Sequence, residues 1–234
     1  MSKNKILTII LVVLLVITAI VLFIYFYPKI KFSYSFTKDF LSQSDLSECK
    51  NYHQKIEFYS GDANELIGYY DIYKKDHLTY TYQLDISTQE SSELYQDDIN
   101  NSLITVINPR KRIIATTIPM YTAKNTDAFF EKAKQNETNE NLGVYKYLGT
   151  ESFNGLDCLK VSLTDNYDSY QDVDIYYIDL NTGFIVKNEY YTSKDSDSLV
   201  KMHTEINIFE FDIVKDEDVK KFTMDNYPEY DYRD

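Results

Sequence analysis

YLGTESFNGLDCLKVSLTDNYDSYQDVDIYYIDLNTGFIVKNEYYT, residues 147–192, is the stretch that decides the fold of this 234-residue chain. Asn154-Gly155 and Asn181-Thr182-Gly183 are typical of tight turns that need a positive φ. Apolar residues between these turns recur at every second position, as in Leu159 and Val161. This period predicts four antiparallel strands with one buried face and one wetter face.

The same alternation continues on both sides of this stretch. It is cleanest in residues 78–86, which predict a half-buried antiparallel strand. Further strands are predicted at residues 52–58, 66–73, 103–107, 112–118 and 199–213, whereas the polar residues 87–101 predict a loop or a ragged strand end. The pattern at residues 125–136 predicts a short helix and that at residues 216–222 a brief helical turn, and we expect short helices to cover the sheet. The predicted fold is mainly β (α+β), a curved antiparallel sheet of about ten strands.

An uncharged apolar run begins at Ile6 and ends at Tyr27. A helix of that length spans about 30 Å of hydrocarbon, and the run is too long for the core of a cleaved signal peptide. The sequence therefore predicts a transmembrane helix (6–27) after a cytoplasmic tail (1–5). A linker with a candidate helix (28–50), one β domain (51–230) and a short tail (231–234) follow. Because a five-residue tail is easily retained in the cytoplasm, we expect a single-pass membrane protein whose β domain lies outside the cytoplasm.

The net charge of −13 limits the choice of partners. An acidic surface repels nucleic acid, so we expect no nucleic-acid partner. A basic protein partner is compatible with this charge. The two cysteines, Cys49 and Cys158, form either one disulfide or two free thiols, and the sequence leaves both alternatives open.

The chain has no nucleophile elbow, phosphate loop, dinucleotide fingerprint or zinc-protease motif. Its densest acidic group, Asp165, Asp168, Asp172 and Asp174, is interpreted as a solvated turn rather than as a hydrolase pair. Cys49 and His53 are four residues apart, but no further metal ligand has a matching spacing. The sequence therefore predicts a non-enzymatic protein with no catalytic residues, no metal site and no cofactor.

The candidate ligand-binding residues are the apolar positions of the alternating strands, which we expect to line one side of the curved sheet. They are Tyr80, Tyr82, Leu84, Ile114, Leu159, Val161, Ile175, Tyr177, Phe184 and Val186. Two interpretations remain open. These side chains form either a packed core beneath the short helices or a concave groove for an acyl chain or an apolar peptide.

The four predicted strands of residues 147–192 resemble the outer-membrane lipoprotein carrier superfamily (LolA, LolB and RseB-like proteins). The resemblance rests on residues 154–161, on residues 175–183 with their Ile178-Asp179 and Thr182-Gly183 pairs, and on residues 184–187. It implies an unclosed antiparallel half-barrel that binds acyl chains or a lipidated partner, and it supplies no catalytic residue. The predicted membrane helix departs from that superfamily, whose members are generally soluble or lipid-anchored.

These observations lead to two functional hypotheses. In the first, a membrane-tethered extracytoplasmic protein of the cell envelope holds a lipid, a lipoprotein or another apolar ligand on the concave face. In the second, a non-enzymatic envelope sensor uses its acidic surface to bind a protein partner.

Overall fold

The computed structural model contains one sheet of twelve strands in the order β12-β6-β5-β4-β3-β2-β1-β11-β10-β9-β8-β7. The structure describes residues 3–31, 46, 49–61, 63–117, 145–167, 169–193 and 198–233. Neighbouring strands are antiparallel, except that β12 runs parallel to β6. No pairing joins β12 to β7 within the described residues, so the sheet is open. The mainly β fold is confirmed, and the open sheet is consistent with the half-barrel that the resemblance implies.

The strands follow one another closely along the chain. The first half of the sheet comprises β1 (Asn51–Ser60), β2 (Leu66–Lys75), β3 (Leu78–Asp85), β4 (Glu90–Asp97), β5 (Ser102–Ile107) and β6 (Arg112–Thr117). The second half comprises β7 (Lys146–Phe153), β8 (Leu156–Asn166), β9 (Gln171–Asp179), β10 (Ile185–Ser193), β11 (Val200–Phe211) and β12 (Asp231–Arg233). The pairing of β1 with β11 joins the two halves.

The N-terminal helix α1 (Lys3–Lys31) contains the apolar run. Its side chains from Val12 to Tyr27 are exposed. Among the residues that the structure describes, no helix has the length and apolar character required to cross a membrane.

The turns explain why the strands are joined so tightly. Asn154 and Gly155 adopt φ values of 50° and 81°, and Gly183 adopts 76°. The predicted need for a positive φ is therefore met at both turns. In the second turn, the Asp179 carboxylate accepts hydrogen bonds from the Asn181 and Thr182 backbone N–H groups, and the bend is fixed before Gly183.

Each strand of the sheet presents alternate side chains to two opposite faces, which we name after one residue each. The Tyr80 face carries Tyr80, Tyr95 and Ile104, which are aligned across β3, β4 and β5. The Leu159 face carries Leu159 and Ile178, which are directly opposite each other on β8 and β9. Both faces contain a buried core, so neither face of the sheet is wholly solvated.

Two apolar clusters hold the two halves of the sheet. On the Leu159 face, the second half packs around Leu159, Val161, Leu163, Tyr176 and Ile178. On the Tyr80 face, the first half packs against the C-terminal segment, residues 212–230, through Tyr80, Tyr95, Val106, Ile113, Val214, Val219 and Tyr227. A smaller cluster of Cys158, Tyr177 and Val186 lies on the Tyr80 face of the second half.

One predicted loop is wrong. Residues 87–101 contain strand β4. This strand pairs with β3 along its whole length and with β5 from Ser92 to Asp97. Its Glu, Ser and Gln side chains hid the strand from a prediction based on hydrophobic period. Pairing on both sides satisfies its backbone groups, and Tyr95 supplies its buried anchor.

The covering helices differ from the prediction. Where a brief helical turn was predicted, at residues 216–222, the structure has a short turn in which the Asp218 N–H donates to the Lys215 carbonyl oxygen. A 3₁₀ turn, Met224–Asn226, follows it, and residues 231–233 extend the sheet as β12. The helix predicted at residues 125–136 lies outside the described residues, as does nearly all of the linker helix. Cys49 and Cys158 do not form a disulfide with each other.

Candidate functional site

The strand registers divide the ten predicted ligand-binding residues between the two faces. Those on the Tyr80 face are Tyr80, Tyr82, Leu84, Ile175, Tyr177 and Val186. Those on the Leu159 face are Ile114, Leu159, Val161 and Phe184. The expectation that all ten line one side of the sheet is therefore wrong.

Loop length is the physical reason for this division. Loops of two or four residues join most neighbouring strands, so an odd-numbered residue lies opposite an even-numbered one. Val161 faces Tyr176 rather than Tyr177, and Val106 faces Ile113 rather than Ile114. The prediction had assumed that residues of the same parity, all odd-numbered or all even-numbered, stay on one face across these turns.

Most of the Tyr80-face candidates belong to packed cores. Tyr80 and Tyr177 are each only 3% exposed. Tyr80 is covered by the C-terminal segment, and Tyr177 packs against Val186 and Phe153. Of the two interpretations that the sequence left open, the packed core describes these residues.

An open groove of about 540 Å³ lies at the opposite end of the sheet from the start of β1. It is formed mainly on the Leu159 face by β1 to β5 and by the turn after β5. The apolar residues that border it are Phe58, Ile67, Tyr70, Leu84, Ile107 and Pro109, and the strand register assigns the Leu84 side chain to the Tyr80 face. Leu84 is the one predicted candidate among its lining residues, so the sequence did not locate this groove.

The polar lining of the groove lies on β3, on β4 and on the turn after β5, next to apolar lining residues such as Ile107 and Pro109. It includes Asp85, Glu90, Ser92 and Arg110. The Ser92 hydroxyl donates to the Gln83 side-chain oxygen over 3.0 Å, which fixes both side chains across β3 and β4. The groove therefore combines apolar lining residues with a few polar and charged groups, as small-molecule sites usually do.

A second, smaller cleft of about 250 Å³ separates the C-terminal segment from the start of β3. Lys220 and Phe222 close one side of it, and His77, Thr79 and Gln96 line the other. Its volume is below that of typical ligand pockets, about 300 Å³ or more. The larger groove is therefore the better candidate site.

Three tyrosines converge on one carboxylate beneath the C-terminal segment. The hydroxyls of Tyr80, Tyr95 and Tyr227 donate to Glu93 over 2.8, 2.9 and 3.0 Å, and Tyr95 and Tyr227 also contact each other at 2.7 Å. Burial, reinforced by these hydrogen bonds, raises the pKa of Tyr80 and Tyr95. We call Glu93 and these three tyrosines the Glu93 clasp. It fastens the C-terminal segment to the sheet.

His53 lies between two carboxylates where β1 joins its two neighbours. Its Nε2 is 2.6 Å from Asp71 Oδ1 on β2, and its Nδ1 is 2.8 Å from Glu210 Oε2 on β11. The ring stacks on Tyr73 at 4.6 Å. Burial opposes the charged imidazole, but the two hydrogen bonds outweigh it and raise the pKa of His53.

The acidic group is not the solvated turn that the sequence predicted. Asp165 lies in β8 and Asp174 in β9, and each is 6% exposed. Asp172 is directly opposite Asp165, and Asp168 lies outside the described residues. Burial and then the nearby carboxylates, Asp174 first, raise the pKa of Tyr176.

No group of three or more His, Cys, Asp or Glu side chains in the described part of the chain is arranged to hold a metal ion. Cys49 and His53 do not form part of such a group. His53 is engaged instead by the two carboxylates described above.

The residues of the groove could have been found from the sequence only from the number of residues in each loop, which sets the register of the next strand. Phe58 and Tyr70 were correctly placed in strands, but the two-residue turn at 76–77 decides which side chains of β3 lie beside them. Arg110 belongs to a turn and carries no periodic signal. Glu90 lies in the segment predicted as a loop.

No family model matches this chain, and no curated protein matches its sequence. Solved structures do match its fold. An uncharacterized conserved protein from Thermus thermophilus aligns with 9% identity and a TM-score of 0.48 over 80% of this chain and 94% of that chain. LprF from Mycobacterium bovis aligns with 9% identity and a TM-score of 0.40 over 79% and 96%. A LolA superfamily protein from Nitrosomonas europaea aligns with 11% identity and a TM-score of 0.30 over 79% of this chain and 97% of that chain.

Proposed function

We propose that this chain is a non-enzymatic binding protein that holds the acyl chain of an amphiphile in the groove on the Leu159 face. The observation that carries the proposal is the volume of the groove, about 540 Å³, together with its six apolar lining residues. Ligand pockets of this kind usually enclose about 300–1,000 Å³ and are lined mainly by apolar and aromatic side chains.

We further propose that helix α1 holds the β domain at the outer surface of a cell membrane. Supporting this proposal, the side chains from Val12 to Tyr27 are exposed, and most of them are large and apolar. Exposed apolar surface of this extent is costly in water and marks a membrane or protein contact. Flotation of the full-length protein with phosphatidylglycerol vesicles tests this attachment.

Photolabelling tests the binding proposal. The full-length protein in phosphatidylglycerol vesicles is exposed to an alkyl probe with a photoactivatable group near the end of its chain. The labelled peptides are then mapped by mass spectrometry. We expect labels on peptides from β1, β2 and β5, because Phe58, Tyr70 and Ile107 line the groove.

Filling the groove should prevent this labelling. Thr105 lines the groove, so Thr105→Trp places an indole where the alkyl chain would lie, and we expect labelling to fall at least fivefold. Thr116→Trp is the matched control, because Thr116 is exposed on the neighbouring strand β6 and does not line the groove. Equal labelling of both variants, or labels confined to other peptides, would contradict the proposal and favour the acidic-surface alternative.

A further inference from the structure

Arg110 and Glu90 are opposite charges that both line the groove and are both exposed. They do not form an ion pair with each other. Within the described residues, neither side chain forms an ion pair or a hydrogen bond with any other group. Both charges are therefore available to a ligand.

The neighbouring charges are already satisfied within the protein. Asp85 Oδ1 accepts hydrogen bonds from the Ser87 N–H, the Ser87 hydroxyl and the Thr88 N–H over 2.8, 2.6 and 3.1 Å. These bonds, the Ser87 hydroxyl first, lower the pKa of Asp85. Lys111, adjacent to Arg110 in sequence, pairs with Glu229. Among the described lining residues, Arg110 and Glu90 are thus the charged side chains that have no hydrogen bond or ion pair, whereas Asp85 is a carboxylate whose Oδ1 is already engaged.

The backbone that carries these two charges is well fixed. Arg110 ends the 3₁₀ turn Asn108–Arg110. Both polar atoms of the Asn108 side-chain amide form hydrogen bonds that fix this turn. Its Nδ2 donates to Ser91 Oγ over 2.8 Å, and its Oδ1 accepts from the Tyr230 hydroxyl over 2.9 Å. Glu90 begins β4 and pairs with Asp85 of β3.

We propose that the groove selects an amphiphile with a zwitterionic head that carries both a phosphate and an ammonium group. This inference rests on the proposed function and names the ligand class. The guanidinium of Arg110 binds the phosphate, for which its planar fork is well suited, and the carboxylate of Glu90 binds the ammonium. The alkyl chain lies on Phe58 and Tyr70. A purely anionic head would face Glu90 and a purely cationic head would face Arg110, so both are disfavoured.

Four photoactivatable probes with the same alkyl chain test this selection. Their heads are phosphocholine, sulfate, trimethylammonium and maltoside. Each is presented to the full-length protein in phosphatidylglycerol vesicles, and groove labelling is normalised to the amount of probe in the vesicles. We expect the phosphocholine probe to label the groove at least fivefold more than each of the other three.

Two substitutions separate the roles of the charges. Arg110→Gln and Glu90→Gln should each lower phosphocholine labelling about fivefold, roughly the loss of one exposed ion pair. Lys111→Gln is the matched control, because Lys111 is paired with Glu229, and it should leave labelling unchanged. All three side chains are exposed, so the thermal midpoints of the variants should match that of the parent protein.

The outcomes distinguish the two proposals. Equal labelling by all four heads, or an Arg110→Gln effect no larger than that of Lys111→Gln, overturns the head-group proposal and leaves the binding function intact. The absence of groove labelling by every probe overturns the binding function itself. A phosphocholine preference that both Gln variants abolish supports the head-group proposal.

Discussion

At the scale of single residues, His53 has the clearest chemical consequence. It links β1 to β2 through Asp71 and to β11 through Glu210, at the pairing that joins the two halves of the sheet. Tyr73, stacked on the ring, also donates its hydroxyl to Asp71 over 3.0 Å. The imidazole makes both contacts as a donor only when it is protonated.

The raised pKa of His53 predicts a pH-dependent stability. A folded-state pKa above the unfolded value of about 6.5 stabilises the protein fully below that value, and the contribution is lost as pH rises through the folded-state pKa. We therefore expect the thermal midpoint to fall as the pH rises above about 6.5 and through the folded-state pKa of His53. His53→Gln should flatten this part of the profile, because an amide has no proton to lose. Matching profiles for the two proteins would assign the pH dependence to other groups.

At the scale of elements, strand β4 shows how polar residues can occupy a central strand. Glu93 would be costly to bury alone, but three tyrosine hydroxyls donate to it and Lys220 approaches to 4.0 Å. The same contacts hold the C-terminal segment over the sheet. A strand that appears unfavourable in sequence is thus stabilised by partners that are distant in the chain.

The Glu93 clasp predicts the effect of removing one hydroxyl. Tyr227→Phe deletes the contacts to Glu93 and Tyr95, and we expect a loss of about 2 kcal/mol in the free energy of unfolding. Proteolysis within residues 212–230 should become faster. Tyr59→Phe is the control, since it removes a tyrosine–carboxylate contact to Glu57 outside the clasp and should cost less than about 1 kcal/mol. Equal losses in the two variants would show that the clasp adds nothing beyond a surface contact.

At the scale of the whole molecule, continuous pairing makes one body out of two cores that lie on opposite faces. The cluster around Leu163 belongs to the second half of the sheet, and the cluster around Ile113 belongs to the first. Because β1 and β11 pair, disruption of one core is expected to destabilise the other. We therefore expect the β domain to unfold as one cooperative unit.

Core substitutions measure this cooperativity. Leu163→Ala removes a fully buried side chain and should lower the free energy of unfolding by about 2–5 kcal/mol. Tyrosine fluorescence and far-UV circular dichroism of the full-length protein in urea should shift together in one transition. Leu199→Ala, at a position that is 49% exposed, should change stability by less than about 0.5 kcal/mol. Two separate transitions would indicate that the halves unfold independently.

The sequence by itself determined the strands and several of their turns. Alternation at every second residue located β1 to β3 and β5 to β11 because half-buried strands must present apolar side chains to a core. Asn154 and Gly155 set the tightest turn through the positive φ that they tolerate. These are local properties of the chain, so they can be predicted directly from the sequence.

The tertiary structure alone decided which side chains share a face and where the groove lies. A one-residue difference in register moves a side chain through the sheet, and loop lengths and bulges such as that between Tyr190 and Tyr191 set the register. Strand β4 and the Glu93 clasp depend on contacts between residues up to 134 positions apart. Arg110 and Glu90 become a pair of available charges only because the start of β4 and the turn after β5 both border the groove. No local sequence pattern encodes this arrangement.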